Sequence, residues 1–119
     1  MIVLSTTVIN PDTASPFTDE RMQQMQALIQ EMKSKGVLIA TGGRHPGMLE
    51  LAVERASGDT GVTDGPFTES KEFVGGFALL NVKDRDDAIY WTNRFLDVAG
   101  NARAELREIN LVESRLDAV

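Results

Sequence analysis

"FVGGFALLNV", residues 73 to 82, decides the fold. Successive side chains of a strand point to opposite faces, and here Phe73, Gly75, Phe77, Leu79 and Asn81 form one set while Val74, Gly76, Ala78, Leu80 and Val82 form the other. Both sets are largely apolar, so the strand needs cover on both faces. The flanking segments show what can supply it.

On the C-terminal side, Asp84 or Asp86 opens a second helix, with carboxylates suited to its first turn, and Ala88, Ile89, Thr92, Phe95, Leu96 and Ala99 recur at helical spacing as its inward stripe. "DRDD" therefore reads as helix capping rather than a metal site, since adjacent carboxylates at a helix start point in different directions. Gly100 ends this helix, and "AELREINLV" is a last strand.

On the N-terminal side, "MIVLSTTVIN" alternates as a first strand, with Ile2, Leu4 and Val8 against Val3, Ser5 and Thr7. It has no basic leader and no cleavage pattern, and is not read as a targeting segment. "NPDTASPF" breaks it with two prolines. Thr18 then caps a helix from Asp19 to about Lys35, in which Met22, Met25, Leu28, Ile29 and Met32 form a core stripe and Gly36 marks the end. "VLIAT" is the second strand; "MLELAVER" and "VTDGPF", separated by the turn "SGDTG", read as a hairpin inserted after it.

The order strand, helix, strand, inserted hairpin, strand, helix, strand is the ferredoxin-like split βαβ pattern, an α+β fold with an antiparallel sheet, in a single domain over residues 1–119. Two helices cover only one face of such a sheet. A second copy of the chain is the simplest cover for the other, which predicts a homodimer with a cavity near the seam between the sheets.

A net charge of −6 and a pI near 4.7 leave no basic stripe for phosphate neutralisation, which disfavours nucleic acid and anionic membranes as partners. The absence of cysteine removes thiol catalysis, disulfides and thiolate metal sites, and fits a reducing compartment. No apolar run approaches the roughly 20 residues of a membrane-spanning helix. The expectation is a cytoplasmic protein.

Just before the decisive strand stands "TDGPFTESKE", residues 63 to 72, followed by "GGF" at 75 to 77. With the acidic helix start "DRDDAIYW" and the terminal "AELREI", these residues resemble the YCII-related family in its DGPF-motif branch, across nearly the whole chain. The resemblance implies the fold of the dimeric α/β barrels. That branch resembles accessory modules as much as enzymes. Its shorter relatives carry a histidine in the first helix, proposed to work with an aspartate; here that helix reads "DERMQQMQALIQEMK" and has none.

In the motif itself, Pro66 fixes φ and Gly65 permits unusual backbone, so the turn sets Asp64 and Phe67 reproducibly. Gly75 and Gly76 mark a bulge or a close approach of ligand or backbone. Arg44, Gly65, Pro66, Phe67, Lys71, Gly75, Gly76 and Phe77 are accordingly the candidate ligand-binding residues. A turn and a bulge serving only folding and dimerisation explain the same residues. His45, the single histidine, is the candidate general base, with Asp64 at the other end of the hairpin to orient it.

No Walker loop, nucleophile elbow or paired histidines at metal spacing is present, and no cofactor or metal is expected. Haem, used by similar dimeric barrels, would need an axial ligand that a single histidine outside a helix supplies poorly. Two functions remain open: a small-molecule acid/base enzyme acting on a modest carbonyl or aromatic substrate in the dimer cavity, or a noncatalytic ligand-binding or regulatory partner.

Overall fold

Why each helix begins and ends where it does is written in its flanking residues. In a computed structural model, which describes residues 1–44, 47–65 and 73–113, the elements run β1 (Ile2–Ile9), α1 (Asp19–Ser34), β2 (Leu38–Gly43), β3 (Leu51–Ala56), β4 (Asp59–Asp64), β5 (Phe73–Asn81), α2 (Arg85–Ala99) and β6 (Arg103–Glu108). Thr18 caps α1, its Oγ1 accepting from the Arg21 N–H at 3.2 Å. Past the other end, Gly36 takes φ +69°, and the Val37 N–H reaches the Met32 carbonyl at 2.9 Å. Asp84 caps α2 by accepting from the Asp87 N–H at 2.8 Å, and Asp87 reciprocates by accepting from the Lys83 N–H at 3.0 Å. Two of the carboxylates of "DRDD" are thereby committed to the helix start.

The last turn of α2 contains no basic residue of its own. Arg21 of α1 supplies the charge instead, donating from Nη1 to the carbonyls of Val98 at 3.2 Å and Ala99 at 3.0 Å.

The main sheet is antiparallel in the order β2-β5-β1-β6, the split βαβ arrangement, with α1 linking β1 to β2 and α2 linking β5 to β6. Both helices pack on the same face of the sheet: Leu28 and Met32 from α1 and Ala88 and Trp91 from α2 join Val3, Leu38, Leu80 and Val82 in one buried cluster. Ile89, expected inward, is instead on the solvent side at 39% exposure, and Trp91 takes its place. The inward stripe is Ala88, Trp91, Thr92, Phe95, one step round the helix from Ile89.

β5 has the two apolar faces its sequence announces. Leu80 is 2% exposed beneath the helices, whereas Phe77 on the opposite face, beside Thr6 of β1, is 43% exposed. Leu79 and Leu4 share that open face, and β6 borders it with Arg103, Glu105 and Arg107. The Glu105 carboxylate accepts from both arginines, at 3.3 Å and 3.2 Å, and Arg107 foremost holds it below the usual carboxylate range.

β3 and β4 form a separate hairpin, joined by Ser57 at φ +52° and Gly58 at φ +85°. Two consecutive positive φ angles make a two-residue type I′ connection. The turn is thus tighter than the five-residue "SGDTG", whose Asp59, Thr60 and Gly61 belong to β4. Every residue of both strands is exposed, including Val53 at 64% and Val62 at 60%. The chain's radius of gyration, 16.2 Å, exceeds the roughly 13.5 Å of a compact chain of this length. The hairpin stands off the body.

Candidate functional site

The sheet tapers beneath its helices. At one end Val3 of β1 lies opposite Leu80 of β5, and large side chains fill the space. Toward the other end the pairs become Ser5 with Ala78 and Thr7 with Gly76, small residues on the same face. Beside these small residues lies a cavity of about 420 Å³. Met25 and Ile29 of α1 and Trp91 and Phe95 of α2 wall it.

The loop after β1 closes one end. Ser15 and Phe17 line the cavity there, and the loop is fastened to the turn beyond α2 by Asn101, whose N–H donates to Ser15 Oγ at 3.0 Å and whose Nδ2 donates to the Thr13 carbonyl at 2.9 Å. Another side is bounded by Gly42 and Gly43 of β2 and by Gly75, Gly76 and Phe77 of β5. These glycines are where backbones approach: a Cβ on Gly76 would sit 2.6 Å from the Gly42 carbonyl oxygen, and one on Gly42 would sit 2.8 Å from Cε1 of Phe77. The register between β1 and β5 shifts between Thr7 and Val8, passing over Gly75.

Among the described residues, those lining the cavity include no aspartate, glutamate, lysine, arginine or histidine. Their polar side-chain groups are hydroxyls, the Asn101 amide and the Trp91 indole N–H. Thr92 donates its hydroxyl to the Ala88 carbonyl at 2.8 Å, and Thr41 donates to the Phe77 carbonyl at 2.8 Å.

Of the residues singled out by sequence, Gly75, Gly76 and Phe77 line this cavity. Arg44 stands beside it: its N–H donates to the Gly75 carbonyl at 3.0 Å, and its guanidinium meets Glu50 at 3.4 Å. Gly65 joins the same cluster, its N–H donating to the Glu50 carbonyl at 2.7 Å, with no room for a Cβ against that side chain. Asp64 ends β4, is exposed and lies outside the cavity lining. His45, Pro66, Phe67 and Lys71 fall outside the described residues, so only Asp64 of the proton-transfer pair has a described position.

This cavity lies inside one chain, under the helices, and is distinct from any at a seam between two open sheet faces. What hollows the helix-covered face is side-chain size, and Ser5 and Thr7, which look like a solvent-facing set by polarity, turn out to be the set beneath the helices, 7% and 8% exposed. Two polar residues following Val3 in the same alternating set of β1 were the available signal.

The family model for the YCII-related domain matches residues 1–109. The chain belongs to the YCII-related family. Among curated proteins none matches it. Among solved structures, the CutA1 protein from Pyrococcus horikoshii is similar at 12% identity and a TM-score of 0.40, over 97% of this chain and 89% of that one. In this YCII-related domain, no described helix is long and apolar enough to cross a membrane.

An ion pair ties the two helices to each other. Arg94 of α2 grips Glu31 of α1 with two bonds, 2.9 Å and 2.7 Å, and Lys35 approaches the same carboxylate at 3.5 Å. The hydrogen-bonded guanidinium brings Glu31 from an ordinary 4.5 down to about 2. A carboxylate depressed in the folded state stabilises above its unfolded pKa and loses that contribution as pH falls through the folded one. The gap in melting temperature between the native YCII-related domain and Glu31→Gln should therefore be full above pH 4.5 and shrink steadily toward pH 2. A gap that stays constant through that window would contradict the assignment. Both side chains are about one-third exposed, so added salt should narrow the gap as well.

Proposed function

We propose that the protein binds an apolar or aromatic small molecule in the cavity between sheet and helices, as a ligand-binding domain rather than an acid/base enzyme. One observation carries this: a cavity of about 420 Å³, within the size range of ligand sites, walled by methionine, tryptophan and phenylalanine and lacking any ionisable group among its described residues. The location of Gly75, Gly76 and Phe77 on its wall gives the "GGF" after the DGPF motif a role in shaping it, in keeping with membership of the motif's branch.

Trp91 is the only tryptophan of the chain and lines the cavity, so its emission reports occupancy directly. Naphthalene titrated into the protein should change that emission saturably, one molecule per chain, and Ala78→Phe, which fills the hollow, should abolish the response. An unsaturable response in the native protein would overturn the proposal.

The acid/base alternative depends on His45 and Asp64, and the exposure of Asp64 away from the cavity argues against it. Arg44, the last described residue before His45 in the chain, donates its N–H to the Gly75 carbonyl. Turnover of a carbonyl or aromatic substrate that falls by about 10²-fold or more in His45→Ala, with the fold intact, would establish the acid/base alternative.

We also propose a cytoplasmic homodimer, closed through the open sheet face into a dimeric α/β barrel. Support comes from the exposed Val74 and Phe77 on β5 and from the hairpin, since an isolated two-stranded ribbon is only marginally stable in water. Sedimentation equilibrium at micromolar concentration should return twice the 13.0 kDa chain mass. A stable monomer there would remove the dimer.

A further inference from the structure

Two hydroxyls line the cavity without a described protein partner. Ser5 and Thr7 are 7% and 8% exposed and line the cavity, yet among the described residues neither side chain meets a hydrogen-bonding partner. Both belong to the helix-facing set of β1, about 7 Å apart along the strand. Their cross-strand neighbours, Ala78 and Gly76, carry no polar side-chain atom to satisfy them. The other cavity threonines are engaged, Thr92 with Ala88 and Thr41 with Phe77. Each hydroxyl is accessible from the cavity, so a ligand atom seated there can take the hydrogen bond that no described protein group makes.

We propose that Ser5 and Thr7 select an uncharged aromatic ligand carrying a hydroxyl or carbonyl oxygen, an inference that rests on the cavity's being a ligand site. A hydroxyl both donates and accepts, so the pair holds a phenol or a ketone equally well. A carboxylate is different. No cation among the described residues lines the cavity, so an anion would be desolvated against hydroxyls and hydrocarbon with no compensating charge. Neutrality is therefore selected by what the walls lack, and orientation by the two hydroxyls.

Three probes with one ring system separate the possibilities: naphthalene, 2-naphthol and 2-naphthoate at pH 7, each titrated by calorimetry into the full chain. 2-Naphthol should bind about threefold to tenfold more tightly than naphthalene, the worth of one net hydrogen bond. 2-Naphthoate should bind at least 100-fold more weakly than 2-naphthol. In the double variant Ser5→Ala, Thr7→Val, the preference for 2-naphthol over naphthalene should vanish while naphthalene binds as before. Binding of 2-naphthoate on a par with 2-naphthol, or a preference unchanged in the double variant, overturns the inference and leaves the cavity as a ligand site. Failure of all three probes to bind the native chain overturns both together. Should the double variant unfold, Ser5→Ala and Thr7→Val taken singly carry the same comparison.

Discussion

Trp91→Ala is expected to lower the free energy of unfolding by about 3–5 kcal/mol, the range for emptying a buried aromatic site. Trp91 is 5% exposed at the point where α2 meets both α1 and the sheet, within the main cluster. Its ring also lies under two cations, Lys35 and Arg94, each 5.5 Å from the centroid, and Tyr90 packs edge-on at 5.1 Å. The indole therefore fills the core on one side and anchors the Glu31–Arg94–Lys35 group on the other. Truncation enlarges an existing hollow that neighbours cannot easily collapse into, which places the expected loss toward the upper part of that range. Urea unfolding should show the lower midpoint, and Trp91→Phe, which keeps much of the volume, should recover more than half of it. A midpoint in Trp91→Ala within error of the native protein would mean that the indole is not a core residue.

The second large effect is expected at Gly76. Any side chain there starts 2.6 Å from the Gly42 carbonyl oxygen and 3.3 Å from the Gly43 Cα, both backbone atoms of a paired strand. No rotamer relieves a clash of Cβ itself, so β2 must separate from β5 or the bulge must shift. Gly76→Val should cost about 1–3 kcal/mol or more by overpacking. The matched control is Gly61→Val, since a Cβ on Gly61 meets nothing within 4 Å. Gly58 is unsuitable as a control because its φ of +85° strains any L side chain. Equal urea midpoints for Gly76→Val and Gly61→Val would refute the close approach.

These two sites also show what the sequence made legible. Thr18, Gly36, Asp84 and Gly100 marked the helix ends because capping is local: the residue and the group it satisfies lie within four positions of one another. The strand around Gly76 was legible from its doubly apolar pattern, and the split βαβ order followed from the sequence of elements. Trp91 was not, because Ile89 offered an equally apolar neighbour and only the packing of α2 on the sheet chooses between them. The cavity was least legible of all. It is made of volume absent from facing residues, Ser5 against Ala78 and Thr7 against Gly76, and those pairs exist only once the register of β1 on β5 is known. For the same reason the tie from Arg21 to the end of α2, spanning 77 and 78 positions, leaves no trace in local pattern.

The gradient of side-chain size along β1 and β5 divides the domain into two territories with different obligations. Val3, Leu38, Leu80 and Val82 form a keel that holds sheet and helices together, and substitutions there register as lost stability. Ser5, Thr7 and Ala78 border open space, where a side chain can grow or change polarity without displacing a packed neighbour on that side. Three positions on two strands can therefore change the cavity's shape and polarity while the keel that folds the domain is left untouched.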